Sequence, residues 1–238
     1  MTDGGPVNPR TFDVPRFLAT LPLFGDLEAP ELERLATGCT LRRLARGEPV
    51  FRVGEPCNEF HVTVTGQVKL FALAPNGNEK VIEIIGPGHS FAEALMFTDR
   101  DYVINAQALV ETLVLSVGKR AVLAEIAADS RVALRMLAGI SRRLHGLVQD
   151  VQAYALHSGA QRVIGYLLRG QQTGEGGDAE GFTVQLPVSK ATLASRLSLT
   201  PEYFSRVLHE LEAAGLIEVD KRDIRILDAA GLARHAAP

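Results

Sequence analysis

Between Ser189 and Leu211 the apolar positions follow a helical period that breaks once. Ser189 is a good N-cap, and Ala191 to Leu197 read as a helix with Leu193, Ala194 and Leu197 on one face. Ser198-Leu199 makes a turn. Thr200 then caps a second helix with Pro201 at its first position and Glu202 in its first turn. Phe204, Val207, Leu208 and Leu211 fall at i, i+3, i+4 and i+7 and predict its buried side. Glu202, Ser205 and Arg206 occupy the opposite face. After Gly215 two alternating runs flank Asp220-Lys-Arg-Asp223, which reads as a hairpin tip, and Phe182 to Leu186 reads as a third short strand. The pattern predicts a winged helix-turn-helix, introduced by an amphipathic helix from Ser158 to about Gln171 and a loop over Thr173 to Gly181.

The pattern upstream is different. Pro22 and Pro30 interrupt short helical runs from Phe17 to about Gly38. From Thr40 to about Val117, short alternating runs (Pro49–Val53, Glu59–Val64, Gln67–Phe71, Lys80–Ile85, Thr112–Leu115) are punctuated by glycines, with a hairpin turn at Pro75-Asn-Gly-Asn78. Many short strands predict a small antiparallel roll. A helix without proline then runs from a cap at Asp129 or Ser130 to about Ala155. Its Leu137, Ile140, Leu144, Leu147, Val151 and Tyr154 are spaced 3, 4, 3, 4, 3, the seam of a parallel coiled-coil dimer. The alternative is a helix packed on its own domain, which calls for a broader stripe. The expected fold class is α+β, divided into a sensor roll over residues 1–128, a dimerisation helix over 129–156 and a DNA-binding domain over 157–238.

Chemistry narrows the function. Arg is a bidentate donor to guanine, Glu accepts from the cytosine amine and Ser reaches either kind of base edge, so Glu202, Ser205 and Arg206 suit a major groove. The competing reading is a solvated face with a Glu202–Arg206 pair. Lys221 and Arg222 at the hairpin tip are candidate phosphate contacts or plain solubilising charges, and Ser189, Lys190 and Thr200 complete the expected DNA-facing set. Net charge is −3, and residues 156–238 carry 9 Lys and Arg against 10 Asp and Glu, so attraction to phosphate must come from local arrangement. No apolar run approaches a membrane span and no signal pattern opens the chain, which predicts a cytoplasmic protein without membrane contact. Cys39 and Cys57 cannot furnish the four thiolates of an iron–sulfur cluster. The absence of a Gly-rich phosphate loop, HExxH and GxSxG argues against an enzyme.

Roll, dimer helix and winged helix-turn-helix in this order resemble the Crp/Fnr superfamily of bacterial transcription regulators over roughly residues 20–230. Glu202-Tyr-Phe-Ser-Arg206 matches the E-x-x-S-R pattern of the Fnr-like branch. That resemblance implies a homodimer reading a TTGAT-N4-ATCAA palindrome of double-stranded DNA and acting on RNA polymerase. Relatives that bind cyclic AMP carry Gly-Glu and, about ten residues on, Arg-Ser. Here Glu93 is present, but Asp101-Tyr-Val-Ile104 stands where Arg-Ser is expected, and only Arg100 offers a nearby cation for the phosphate. Cyclic AMP is therefore not the expected ligand. The strings Gly77–Glu83, Ser90–Phe97 and Ser198–Arg206 resemble the Dnr-type branch, which implies an activator of denitrification genes responding to nitric oxide through haem. The expected effector pocket lies between roll and long helix, around Phe91, Glu93, Leu95, Met96, Phe97 and Leu144, with His89 the best candidate ligand among the histidines.

Overall fold

The computed structural model describes residues 12–24, 27–169 and 182–235, without the side chains of residues 142, 143, 153 and 154. The loop over Thr173 to Gly181 and the side chain of Tyr154 therefore lie outside the described residues. The chain divides into two compact units, residues 1–72 with 82–145 and residues 73–81 with 146–238.

In the first unit, α1 (Val14–Ala19) is capped by the Asp13 carboxylate, and α2 (Ala29–Thr37) opens with a reciprocal Glu28–Glu31 capping box. Eight strands follow, with residues 73–81 at the β4–β5 turn counted in the second unit: β1 (Cys39–Leu44), β2 (Pro49–Phe51), β3 (Glu59–Thr65), β4 (Val68–Leu73), β5 (Glu79–Ile85), β6 (Ser90–Phe91), β7 (Asn105–Ala108) and β8 (Thr112–Gly118). They form two four-stranded sheets, ordered β1-β8-β3-β6 and β2-β7-β4-β5. β1 and β8 pair antiparallel from Cys39↔Val117 to Leu44↔Thr112, which closes a loop of about seventy residues in sequence. One core, with Val68, Leu70, Ile85, Phe91 and Val114, fills the roll. A second joins its other face to the helices through Leu18, Phe24, Leu35, Phe60, Leu115 and Met136.

β1, β6 and β7 were not read from the pattern, nor was α3 (Lys119–Ala128), which follows β8 directly. Glu125 of α3 is buried and accepts two bonds of 3.0 Å from the Arg34 guanidinium of α2, so this charge enters the core only with its partner. α4 runs from Arg131 to Leu156, and the boundary between the units falls inside it, after residue 145.

The second unit continues with α5 (Gly159–Arg169), β9 (Phe182–Gln185), α6 (Lys190–Arg196), α7 (Pro201–Ala213), β10 (Ile217–Asp220), β11 (Asp223–Ile226) and α8 (Ala229–His235). Its sheet is ordered β10-β11-β9. Val163, Ile164 and Leu167 of α5 are buried, as are Leu193 and Ala194 of α6, Ile217 of β10 and Ile224 of β11. Phe204, Val207, Leu208 and Leu211 bury one side of α7, as their spacing requires. α7 ends before Gly215, whose φ of +70° suits a residue without Cβ.

Candidate functional site

Local chemistry sets α6 and α7. The Ser189 hydroxyl accepts the Thr192 N–H at 3.1 Å, and the Thr200 hydroxyl accepts the Tyr203 N–H at 3.2 Å. Both hydroxyls thus hold helix ends. Ser198 takes a left-handed φ of +57° between the two helices, and Pro201 opens the second. With the apolar side of α7 packed, Glu202, Ser205 and Arg206 all stand exposed. Arg206 does not pair with Glu202 as the simplest spacing suggests. Its Nε lies 3.8 Å from Glu210 Oε1, one turn onward, and its guanidinium carbon sits 4.8 Å from the centroid of the Tyr203 ring. Lys190 is half-buried, while Lys221 and Arg222 are exposed at the β10–β11 turn, with Lys221 at a φ of +53°.

Two further residues of this unit fasten α6. Lys80 Nζ donates to the Ser195 carbonyl at 2.5 Å and to the Ser198 hydroxyl at 2.8 Å, while the Val81 N–H donates to Ser195 Oγ at 2.9 Å. A cation here faces the carbonyl end of the helix. Burial, with the charges of Arg196 and Arg162 adding, pushes Lys80 down to about 8. Arg196 donates to Asp150 of α4 at 2.5 Å, which ties it to a carboxylate. Sequence reasoning missed Lys80 because its partners lie more than a hundred residues away.

Along α4, Leu137, Leu144 and Val151 are 57%, 60% and 64% exposed, and Ile140 and Leu147 are partly covered. Leu134, Val148 and Leu156 extend the apolar exposure. A helix that leaves this many large aliphatic side chains in water presents an association surface.

The sensor roll uses its chemistry internally. The Tyr102 hydroxyl donates to the Glu59 carbonyl at 2.8 Å and so accepts from His61 Nε2 at 3.0 Å; His61 Nδ1 then accepts from Ser116 Oγ at 2.9 Å. Both nitrogens of His61 are engaged, and burial pushes its pKa down to about 3. The Tyr102 ring lies flat on Phe51 at 3.7 Å. The stretch where the resemblance expects Arg-Ser therefore contributes a ring to the roll's interior, and Arg100 is exposed. Ala92, where cyclic-AMP binders carry glycine, takes a φ of +67°.

The expected pocket residues divide. Phe91 and Met96 are wholly buried in the two cores, Leu95 packs against the roll core, and Phe97 and Leu144 are exposed. The short 3-10 turn Leu95–Phe97 sends its middle residue inward and its last outward. A cavity of about 310 Å³ is lined instead by Leu21, Pro22 and Leu23, by Glu83, by Gly88, His89, Ser90 and Glu93, and by Gly139 of α4. Only Glu93 and His89 of the expected set reach it. Gly139 lacks a side chain where Leu23 presses against α4: a Cβ there would meet Leu23 Cδ2 at 2.8 Å.

Haem fits this cavity in one respect only. The Pro87 carbonyl, 3.0 Å from His89 Nδ1, holds the proton on that nitrogen and leaves Nε2 as the basic one. But Glu83 and Glu93 bring two carboxylates into the lining, against a group that carries its own. As for the cysteines, burial pushes the Cys39 thiol up to about 12, and Cys57 is buried with its Sγ 3.6 Å from the Glu59 carbonyl. Among the described residues no three His, Cys, Asp or Glu side chains gather as metal ligands, and no helix is long and apolar enough to cross a membrane.

Two family models match the chain: a cyclic nucleotide-binding domain over residues 41–129 and a Crp-like helix-turn-helix domain over residues 161–235. The transcriptional regulator LdrP of Thermus thermophilus is 30% identical over 201 residues, 82% of this chain and 96% of that protein. The CRP-like cAMP-activated global transcriptional regulator of Mycobacterium tuberculosis is 25% identical over 222 residues, 92% and 98% of the two chains. The crystal structure of DNR from Pseudomonas aeruginosa is 35% identical, covers 92% of this chain and 96% of its own, and superposes with a TM-score of 0.50. A nucleotide-binding-type roll, followed by a capped helix-turn-helix with an open polar face and matched nearly end to end by transcription regulators, identifies this chain as a member of the Crp/Fnr family of transcription regulators.

Proposed function

We propose that the chain works as a homodimer that binds a palindromic DNA site through α7 and regulates transcription from it. The observation that carries this reading is the face of α7: Glu202, Ser205 and Arg206 are exposed together on a helix held by two caps and a packed apolar side. In the major groove, Arg206 would donate to a guanine edge, Glu202 accept from a cytosine amine and Ser205 contact either kind of base edge. Lys190, Lys221 and Arg222 would add phosphate contacts that set register without reading sequence. The exposed aliphatic side of α4 supports pairing of two chains, which gives the operator its two-fold symmetry. The E-x-x-S-R match supports a TTGAT-N4-ATCAA site. Hydroxyl-radical footprinting on that duplex should give two protected patches centred about one helical turn apart. A single patch would exclude the dimeric mode.

The trigger is a separate matter. The family match and the Mycobacterium tuberculosis relative favour a cyclic nucleotide, whereas Tyr102 in place of the phosphate-binding pair disfavours it. A nitric-oxide response and denitrification genes rest on the resemblance of short strings to the Dnr-type branch, and contact with RNA polymerase on the wider resemblance to Crp/Fnr regulators. The two carboxylates of Glu83 and Glu93 beside His89 disfavour haem in this cavity. Calorimetry with cyclic AMP separates the two triggers: heat with one-to-one saturation per chain supports the nucleotide, and none removes it.

A further inference from the structure

We infer that Tyr203 is a positioning residue for sequence recognition: its ring is a fixed platform that holds the Arg206 guanidinium in the orientation that reads a base. The inference rests on the assignment of Arg206 as a base reader.

Three observations converge on the ring. The Arg206 guanidinium carbon lies over one side of it, 4.8 Å from the centroid. At the start of α5, Gly159 lies against its edge: a Cβ there would come within 2.5 Å of Tyr203 Cε1, 2.9 Å of Cζ and 3.0 Å of Leu199 Cδ2. The ring therefore sits where a side chain on α5 would otherwise be, partly buried in contact with the domain's first helix. Its backbone is also fixed, since the Tyr203 N–H is the donor of the Thr200 cap. Glu210 holds the Arg206 Nε side at 3.8 Å. An arginine on an open helix face has many rotamers to lose when it binds. A guanidinium already stacked on a fixed aromatic face, with one side steered by a carboxylate, loses fewer of them, and its planar fork meets guanine already aligned. Arg206 is 64% exposed at its side chain, so the platform orients it without burying it.

The test compares Tyr203→Phe, Tyr203→Leu and Gly159→Ala in the full-length protein, titrated by fluorescence anisotropy. The probes are a TTGAT-N4-ATCAA duplex, the same duplex with the guanine–cytosine pair of each half-site exchanged for adenine–thymine, and a scrambled duplex. Tyr203→Phe keeps the aromatic face and should keep discrimination. Tyr203→Leu keeps apolar bulk against Gly159 but removes the face, and should lower discrimination roughly two- to fivefold per half-site, with binding to the scrambled duplex unchanged. Gly159→Ala should do the same with the tyrosine still present, because the ring must move. Circular dichroism and melting of each variant exclude loss of fold. Arg206→Ala is the control on the underlying reading. If it lowers discrimination while Tyr203→Leu and Gly159→Ala leave it intact, the platform is wrong and base readout stands. If Arg206→Ala itself changes nothing, both fall.

Discussion

The exposed face of α7 and the interior of the sensor roll use polar side chains in opposite ways. On α7, Glu202, Ser205 and Arg206 stand in water while Phe204, Val207, Leu208 and Leu211 anchor the other side of the same helix. In the roll, His61, Tyr102 and Ser116 turn inward and satisfy one another, among Phe51 and Phe91. Chemistry presented on an anchored helix is available to a large partner. Chemistry closed on itself inside a sheet is available to none. The likeness to nucleotide-binding rolls therefore establishes an architecture, and the side chains inside this roll decide what it does.

The contrast can be broken on either side. The largest effect is expected from Phe204→Ala, which empties the anchor of α7. Phe204 is fully buried, and its loss should cost about 3–5 kcal/mol of stability in the second unit, read by chemical denaturation. Leu144→Asp is the counterpart on an open surface. At 60% exposure Leu144 contributes little to the fold of one chain, so melting should hardly change. Pairing through α4 should be lost, and with it about a hundredfold or more of palindrome affinity. Sedimentation would read the mass, and an unchanged dimer would refute the assignment of this face.

The roll interior has its own signature in pH. His61 ionises in the fold at about 3 against 6.5 when exposed, so no stability is lost above about pH 6.5. As pH falls from there toward 3, the unfolded chain binds a proton that the fold refuses. Stability should then drop by up to about 1.4 kcal/mol per pH unit. Urea melts at pH 7.5, 6 and 5 measure this, and a flat profile would mean that His61 is not held neutral. The smallest effect is local: Ala92→Gly relieves a left-handed φ of +67° and should stabilise the first unit by about 1 kcal/mol. A loss of stability instead would show that the Ala92 methyl contributes packing worth more than the strain.

The same contrast explains what could be read from the chain. Caps, proline and a 3.6 period are local signals, so α6, α7 and the β10–β11 hairpin were legible nearly to the residue. β1 and β7 were not. Cys39–Leu44 alternates poorly and is a strand because β8 pairs with it from about seventy residues away, and Asn105–Ala108 is short, small and polar. The cavity was missed for a related reason, since its lining comes from four separate stretches of chain. Phe91 and Met96 were expected to face a ligand because they are apolar and lie near Glu93; that same apolarity sends them into the cores. Even on α7, spacing allowed Arg206 to pair with Glu202, and only the folded helix brings Glu210 and Tyr203 to it instead.

Above all, we propose that the open face of α7 reads DNA sequence. Its most direct test is the affinity of wild-type and Arg206→Ala protein, at one fixed salt concentration, for the TTGAT-N4-ATCAA duplex and for the same duplex with one half-site guanine replaced. The wild type should lose about 1–3 kcal/mol on that replacement, and Arg206→Ala should bind both duplexes alike at the weaker level. Equal discrimination by the two proteins would contradict it.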